Sequence, residues 1–454
     1  MRSISISDTA FNQSTVVSET NIGGRPSLSY WQDSISRFQK NRRASFSGLF
    51  VLSLILFSLV GPLIWRIDPI SQDVSQISQP PWADRSVTIV QENSVRPSLL
   101  DERVDSFQFI GQPNTKVIHL KWPIIDNNAS YQLYRSIVSV SDDQALGLPI
   151  TKLGPGENQF SDKLNLKPKT YYYSLVSSGE DGQKKSLSTI SVKPSRVLFL
   201  DEAIERGLTS KQDHTSYNAV YSLPLHPLGT DYLGRDMLAR LMHGARISLF
   251  IGIIAPLLYV LLGVIYGSLA GFVGGAIDQI MMRFSDFVVA LPFLLFMILF
   301  KVIFGIGPGE SGVLPMMFAM IILLWPATAR LIRGQVLVIR EESYVNASKL
   351  LGANKLYLIA RHMIPNTLGM IMVNITFAVP TAIFTEAFLS FIGMGVSPPT
   401  PSWGAMCNEG LKTMLTSPHE LFFPAIFISA TVLSFNLLGD GLRDAFDSKL
   451  RDSS

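Results

Sequence analysis

Hydrophobic positions fall into long uncharged runs. Phe46–Trp65, Ile247–Ile277, Phe287–Gly309, Ser311–Ala329, Asn366–Thr385 and Leu421–Gly439 are almost free of charge; Lys301 interrupts the third, and the fifth continues past Glu386. A helix rises about 1.5 Å per residue and the hydrocarbon core is about 30 Å thick, so about 20 apolar residues span it. The pattern therefore predicts six transmembrane helices. The first run follows a polar stretch and ends Gly-Pro-Leu-Ile-Trp-Arg, with no small-x-small cleavage site, so it is expected to stay as an anchor.

Between the first two runs the pattern changes. Residues 66–225 carry 35 of the chain's 73 charges, the density of a soluble domain. Lys116–Trp122 alternates in polarity, while Tyr131–Val138 and Lys169–Val176 are rich in aromatic and β-branched residues. Turn signals separate them at Asp126-Asn127-Asn128, Gly154-Pro155-Gly156 and Gly179–Gly182. Short strands at this spacing predict a β-sandwich or another small β domain. Residues 68–110, rich in Pro, Ser and Gln, suggest a linker.

Charge sets the orientation. Arg37, Lys40, Arg42 and Arg43 precede the first run, which places the N-terminus in the cytoplasm. Six crossings return the C-terminus there, with Arg443, Lys449 and Arg451. The segment between runs four and five carries Arg330, Arg333, Arg340, Lys349, Lys355 and Arg361 and falls on the same side. Residues 67–225 are then extracytoplasmic. Arg235, Arg240 and Arg246 conflict with this scheme: they lie on the outer side, offset only in part by Asp231 and Asp236.

A net charge of +3 argues against a nucleic-acid partner. Cys407 is the single cysteine, so an intrachain disulfide is excluded. The six histidines, His119, His214, His226, His243, His362 and His419, form no metal-binding spacing, and no metal site is expected. No Gly-Lys dipeptide occurs, so the chain lacks a Walker A loop, and it has no Gly-x-Ser-x-Gly elbow; no catalytic residue is expected.

Residues 340–365 are basic and helical in pattern: an amphipathic helix, Gly352, and a second helix ended by Pro365. The segment is either a plain connection or an element that docks in a partner's groove. It resembles the coupling loop of ABC-importer permeases, whose pattern is Glu-Ala-Ala, three residues, Gly, nine residues, Ile-x-Leu-Pro. The match is Asn346-Ala347-Ser348, Gly352 and His362-x-Ile364-Pro365; Asn346 and Ser348 depart from it, while the glycine, proline and spacing hold. His226-Pro-Leu-Gly-Thr-Asp231-x-x-Gly234-Arg235-Asp236, Gly244-Ala-Arg246-Ile-Ser248, Glu386–Gly393, Pro398–Ala405 and Phe435–Asp444 are similar to motifs of the dipeptide/oligopeptide/nickel permease family, C-type subunit. This resemblance covers about 37–65 and 226–451.

The resemblance implies an all-α polytopic membrane protein with six transmembrane helices and the ABC type I importer permease fold, interrupted by an extracytoplasmic β-sandwich-like domain. The implied division is a cytoplasmic tail over 1–45, the first helix over 46–66, the insertion over 67–225, a motif segment over 226–246, the permease domain over 247–441 and a cytoplasmic tail over 442–454. Within the insertion, residues 113–195 resemble a fibronectin type III domain through Leu120-x-Trp122, Tyr131–Ser136, Phe160-x-Asp162 and Leu166-x-Pro168-x-Thr170-x-Tyr172, with Tyr172 as the implied corner tyrosine. The family usually has only a short loop there.

The implied function is half of a translocation pore for peptides in a prokaryotic cell membrane, with nickel or another small solute as the alternative cargo. The implied partners are a second permease subunit, two ATP-binding cassette subunits that use the ATP, and an extracytoplasmic solute-binding protein. The chain itself binds no cofactor. The implied ATPase-coupling residues are Asn346, Ala347, Ser348, Gly352, Ala353, Ile364 and Pro365. Glu386 is a candidate either for substrate contact or for a structural hydrogen bond. Lys301 is expected to snorkel, and Asp286 and Asp440 to cap helices or meet partners. A membrane-anchored receptor needs only one of the six helices, and a secondary transporter leaves the 340–365 segment unexplained.

Overall fold

A computed structural model of the chain describes residues 30–90, 104–124, 130–139, 146–164, 166–178, 184–205, 208–209, 219–305, 307 and 310–446. The turn signals at 126–128 and 179–182, His214, the Gly309 end of the third run and the terminal Lys449 and Arg451 lie outside them. The chain divides into two compact units: residues up to Pro81 together with those from Leu228 onwards, and Trp82–Pro227. Residues 67–81, assigned to the insertion by composition, thus belong with the helices.

The helical unit contains α1 (Tyr30–Lys40), α2 (Arg42–Ile64), α4 (Met237–Val273), α5 (Gly275–Ala290), α6 (Phe293–Ile303), α7 (Val313–Ile339), α8 (Ser343–Leu350), α9 (Lys355–Leu358), α10 (Ile364–Phe391), α11 (Trp403–Thr413) and α12 (His419–Phe446), with α3 (Leu200–Glu205) in the other unit. Among the described residues, five helices are long and apolar enough to cross a membrane: Arg42–Ile64, Met237–Val273, Val313–Ile339, Lys355–Phe391 and His419–Ala445. The third run departs from expectation. It is shared between α5 and α6, which meet at 82°. Pro292 stands at the break; it cannot donate a helical hydrogen bond and disfavours helical geometry in Leu291 before it.

Contacts at the helix ends show that the bent pair runs from one end of the helical unit to the other. At one end of the unit, Arg340 after α7 donates to the carbonyl of Gly271 in the last turn of α4, next to the start of α5. At the other, Lys301 near the end of α6 donates to Gly393 just past α10, and Ser397 donates to Ser311 ahead of α7. Trp65 after α2 donates to Asp236, the cap of α4, and His419 at the start of α12 pairs with the carbonyl of Thr230. Among the described residues the path thus runs along the helical unit six times, counting the bent pair once. The start of α2 and the end of α12 lie at the same end as residues 340–365, where Gly441 packs on Ala44.

The glycines of the second run have a packing reason. A Cβ on Gly263 would stand 2.6 Å from Thr328 Cβ, one on Gly267 would collide with the carbonyl oxygen of Ala329, and one on Gly271 would stand 2.9 Å from that of Arg333. The three are one turn apart, so a continuous groove along α4 receives the backbone of α7. In lipid, where helix association depends on close contact rather than on the hydrophobic effect, such small-residue grooves hold helices together.

Unit Trp82–Pro227 is β. Strands β2 (Gln108–Ile110), β3 (Ile118–Lys121) and β6 (Gln159–Asp162) form one antiparallel sheet in the order β2-β3-β6. Strands β4 (Ser130–Ser136), β5 (Thr151–Leu153), β7 (Tyr171–Ser178) and β8 (Lys184–Val192) form a second, in the order β5-β4-β7-β8. Both sheets contribute to one apolar core around Trp122, with Ile118 and Leu120 from one and Tyr131, Leu133, Tyr173 and Leu175 from the other. A third sheet joins the ends of the insertion: β1 (Ser86–Val90) pairs antiparallel with β10 (Val220–Ser222) and parallel with β9 (Val197–Phe199). The supposed linker 68–110 thus holds β1 and β2.

The tyrosine assignment is corrected. The hydroxyl that accepts the backbone N–H of Lys167, 2.9 Å away, belongs to Tyr171; Tyr172 is only half-buried. Alternation along β7 puts Tyr171, Tyr173 and Leu175 on the core side, and Tyr172 faces the other way.

The groove on α4 yields a prediction. Gly267→Leu drives a branched side chain into the α7 backbone, which has no rotamer to yield. Overpacking of this kind costs about 1–3 kcal/mol or more. The variant should lose monodisperse, folded protein in detergent, whereas Gly334→Leu, with open space at its Cβ, should purify like the parent; size-exclusion profiles and thermal melts check this.

Candidate coupling segment and outer ion cluster

The 340–365 segment is a helix–turn–helix whose inner side is locked to the bundle. Val345 of α8, together with Ile359 and Met363, is buried in the same cluster as Ile332 and Val336 of α7; Leu358 of α9 is buried too. Gly352 has φ +87°, and nothing lies within 4 Å of where its Cβ would be. Of the two reasons for a glycine here, the structure supports the left-handed turn. Gly352 and Ala353 donate back to the carbonyls of Lys349 and Ser348 to close α8, and the Asn354 side chain caps α9 from Tyr357 N–H at 2.7 Å. His362 lies between the rings of Tyr344 and Tyr357, and Asn366 joins Tyr344 Oη to the His362 carbonyl.

Pro365 does not end the second helix. It lies in the first turn of α10, and the rod from Lys355 to Phe391 is continuous through one π turn at Ile359–Met363. A π turn absorbs the hydrogen bond that proline cannot make. Asn346 and Ala347 are exposed; Asn346 accepts from Lys349 at 3.2 Å. Ser348 donates to Tyr344 O at 3.0 Å and lies 3.5 Å from His362 Nε2. Ala353 and Ile364 are half-buried, and Pro365 is exposed.

The outward rim is apolar: Leu350 and Leu351 are each 89% exposed and Leu356 72% exposed. These leucines carry the surface and were not singled out by the motif. Their signal is that Leu350 and Leu351 are consecutive, so one face of a helix cannot bury both. Ion pairs fix the base of the element: Arg333 grips Asp278 through two 2.6 Å bonds, and Arg330 holds Asp286 at 2.7 Å. Asp440 is exposed.

At the other end, the His-Pro-Leu-Gly-Thr-Asp segment builds a buried four-charge cluster. Arg235 binds Asp231 at 2.6 Å and Glu409 at 2.8 Å; Arg240 binds Glu409 at 2.6 Å and also Asp231. All four residues are buried. Two guanidiniums against two carboxylates leave no net charge, which removes the conflict over orientation: Arg235 and Arg240 are not free cations, and Arg246 alone of the three is exposed. Glu409 comes from α11, far along the chain, so sequence spacing gave no sign of it. Burial, helped by the charges of Glu409 and Asp231 and opposed by those of Arg235 and Arg240, raises the Tyr232 hydroxyl above its ordinary range.

Two glycines let the chain in. Gly229 and Gly234 have φ +78° and +76°, and a Cβ at either would collide with the backbone of Gln79 or Asp73. Thr230 bridges the same stretch, accepting from Gln79 N at 2.9 Å and donating to Gln76 O.

Glu386 is fully buried near this end. It accepts from Ser390 at 2.9 Å, with the hydroxyls of Ser248 on α4 and Ser402 at the start of α11 turned towards it. The structure gives it a structural hydrogen bond between α10, α4 and α11. Cys407 lies close by; burial, then the Glu386 charge, pushes its thiol up to about 12. No group of three or more metal-ligating side chains occurs among the described residues.

The long apolar helices of this unit define a polytopic membrane protein. Two family models match it: "Binding-protein-dependent transport system inner membrane component" over residues 263–452, and "N-terminal TM domain of oligopeptide transport permease C" over 29–81. The chain is 51% identical over 227 residues to the dipeptide transport system permease protein DppC of Bacillus subtilis, covering 50% of this chain and 69% of that protein. It is 46% identical to the oligopeptide transport system permease protein OppC of the same organism, covering 56% and 83%. It is 42% identical to the glutathione transport system permease protein GsiD of Pectobacterium atrosepticum, covering 50% and 73%. Among solved structures it is similar to the inward-facing MetNI methionine ABC transporter at 17% identity, covering 46% and 98%, with a TM-score of 0.38. The chain belongs to the binding-protein-dependent transport permeases and is a multi-pass inner-membrane component. Residues 82–262 lie outside both matched stretches, and the first of these ends at Pro81, where the helical unit gives way to the insertion.

Two outcomes follow. Glu409→Gln leaves two buried guanidiniums facing one carboxylate and should destabilise the protein by about 3–5 kcal/mol; adding Arg240→Met should restore part of the loss, and a double-mutant cycle of detergent melts measures the coupling. Cys407 should resist maleimide at pH 7 in the folded protein and react only after unfolding, because the thiolate is the nucleophile.

Proposed function

We propose that this chain forms half of the translocation pore of an ATP-driven ABC importer with the type I permease fold, and that its cargo is peptides. The named functions of the 40–51% identical relatives support peptide cargo; nickel and other small solutes are the alternatives. A second permease chain completes the pore, two cassette subunits hydrolyse ATP, and a binding protein delivers substrate from outside. The receptor reading leaves five of the six passes without a task.

The observation that carries the proposal is the exposed leucine rim on a rigidly based helix–turn–helix. Leu350, Leu351 and Leu356 are exposed while Val345, Ile359 and Met363 hold the element to the bundle. Such a knob suits a groove on a cassette subunit, and Asn346, Ala347, Ser348, Gly352, Ala353, Ile364 and Pro365 shape it. Because α10 continues from it without a break, a push on the knob moves a rod that reaches Glu386 near the opposite end. ATP-driven closure of the cassette pair would rock the bundle between outward- and inward-open states in this way.

The six passes and the neutralised Arg235 and Arg240 support cytoplasmic termini with residues 82–227 outside. The two sheets β2-β3-β6 and β5-β4-β7-β8 with a common core support a fibronectin type III-like sandwich for the insertion.

The coupling proposal is tested by Leu350→Asp/Leu356→Asp. Both positions are exposed, so the variant should reach the membrane at parental level. Loss of about 3 kcal/mol at the contact weakens it more than 100-fold. Pull-down with the cassette subunits and substrate-stimulated ATP hydrolysis should both fail; normal recruitment with normal stimulation would show that 340–365 is not the coupling element. Orientation is checked separately: cysteines at Asp181 and Lys355 should react with an impermeant reagent from opposite sides.

A further inference from the structure

We propose that Lys301 passes movement of the α10 rod to α6, and that α6 swings about Pro292 as the hinged member of the helical unit. Lys301 is in this sense a positioning residue for transport. The proposal rests on the coupling reading above, in which residues 340–365 supply the push.

The two halves of the bent pair are held in different ways. Polar contacts fix α5. Asp278 takes two 2.6 Å bonds from Arg333, and Asp286 one of 2.7 Å from Arg330, both on α7. Tyr266 of α4 donates to the Met281 carbonyl at 2.8 Å. In contrast, α6 has a single polar side chain among its 11 residues, Lys301. Met297 is the one buried residue of α6, in a cluster with Met316, Met317 and Met320 of α7. Unbranched thioethers fill irregular gaps and tolerate repacking, so this contact can slide. The rings of Phe300, Phe304 and Phe318, at 6.1 and 5.7 Å, continue the same apolar seam. Pro292 stands at the break between the halves, where the angle is 82°. A fixed half, a break and a half held by adaptable apolar contact make a hinge.

The polar tie on α6 leads to the rod. Lys301 Nζ donates to the Gly393 carbonyl at 3.1 Å, and among the described residues this is its one hydrogen bond. A snorkelling lysine would end in water or among headgroups; this one ends on a backbone carbonyl. Gly393 is part of a turn that closes α10. At φ +80° it donates to Ser390 O at 3.1 Å, and Met394 donates to Leu389 O at 2.8 Å. These two bonds form a Schellman motif, which fixes the turn to the helix. Gly395 donates to Leu389 O at 2.9 Å and Val396 to Ser390 Oγ at 3.0 Å, so the turn moves with the rod. The rod from Lys355 to Phe391 has 37 residues and is about 55 Å long. A tilt of about 5° about its inner end carries its outer end about 5 Å. A hydrogen bond is lost beyond about 3.5 Å. Lys301 therefore either follows the rod or is left half-buried beside an apolar seam without its partner, which is costly for an ammonium group. It follows, because no second polar side chain of α6 holds that helix back.

The test measures the angle between α5 and α6 in the assembled complex, reconstituted in nanodiscs with the second permease chain and the cassette subunits. Nitroxides at Ile280→Cys on α5 and Val302→Cys on α6 lie on opposite sides of the bend, and both positions are exposed. Cys407, the one native cysteine, is buried and stays unlabelled. The spin–spin distance is compared without nucleotide and after trapping with ATP and vanadate, so no cargo has to be chosen. It should change by about 5 Å on trapping in the parent. Lys301→Met keeps the length and apolar stem of the side chain but removes the donor; the change should be lost, while cassette recruitment, ATP hydrolysis and the detergent melt stay at parental level. Lys301→Arg keeps a donor and should restore the change. A distance that is the same in both states of the parent, or a Lys301→Met complex that responds like the parent, would overturn the proposal. So would a Lys301→Met chain whose melt and recruitment fall together with the response, since that is the mark of a structural tie alone. The Leu350→Asp/Leu356→Asp pull-down reports on the coupling reading by itself. Lost recruitment there beside an unaffected Lys301→Met complex refutes the relay and leaves that reading standing.

Discussion

The hydrogen bonds between residues 76–79 and 229–231 close the point where the permease chain is interrupted. Gln79 and Thr230 exchange bonds, backbone to backbone one way and backbone to hydroxyl the other, and Ser78 donates to the carbonyl of Asp231. Asp231 in turn carries Arg235 and Arg240, which reach Glu409 of α11. The two flanks of the insertion are therefore fixed to each other and, through the four buried charges, to the helical core. Removing one partner from such a cluster leaves an uncompensated buried charge, so geometry is strongly specified there even if the net stabilisation is small. A domain whose two ends are pinned side by side adds only a loop to the host fold, and loop closure grows slowly with length. This is how a helical unit can accept residues 82–227 between its first and second spans.

The helices were legible because lipid allows few alternatives: every backbone group must be bonded within the segment, so a run without charge is a span. What the runs hid is instructive. Pro292 lies inside the third run but divides it into α5 and α6, because hydropathy averages over a residue whose effect is on backbone geometry. Pro365 was taken as a stop, but proline is tolerated in a first turn, and the π turn before it lets the rod continue. Arg235 and Arg240 argued against the orientation as long as they counted as free cations. Their partners Asp231 and Glu409 stand 4 or 9 and 169 or 174 residues away, and only the nearer one is visible as a spacing.

The β unit shows the same division. Alternation along β3 identified its core face, and Ile118, Leu120 and Trp122 fill one core with Tyr131 and Leu133. The position of the corner tyrosine was missed by one residue. Three consecutive tyrosines give no local reason to prefer one, and a shift of one position in a strand exchanges inside for outside. The motif of the 340–365 segment lies in its glycine and proline, yet its exposed surface is made by Leu350, Leu351 and Leu356. A motif marks the positions that shape a turn. The exposed side chains stand between them, free of the backbone constraints that make a pattern recognisable.

The continuous rod from Lys355 to Phe391 connects these two kinds of information. Its inner end is shaped by backbone demands at Gly352, Asn354 and Pro365, and its outer part by a buried carboxyl at Glu386 with Ser390 one turn on. Between them Pro380 removes one donor, yet the helix is unbroken, and buried small residues at Ala378, Ala382 and Ala387 let neighbours pack closely. A helix of this length transmits displacement only if it is tied at both ends and packed between. Glu386 provides the outer tie without a net salt bridge, through hydroxyls donated from α10 itself and turned in from α4 and the start of α11. Hydroxyl contacts can exchange partners at small cost where a buried ion pair cannot. The unit thus has a rigid clamp in the four-charge cluster, which fixes α4 against α11, and a softer one at Glu386, which joins the rod to both. Of the two, the Glu386 contact is the one suited to slip when the coupling segment moves.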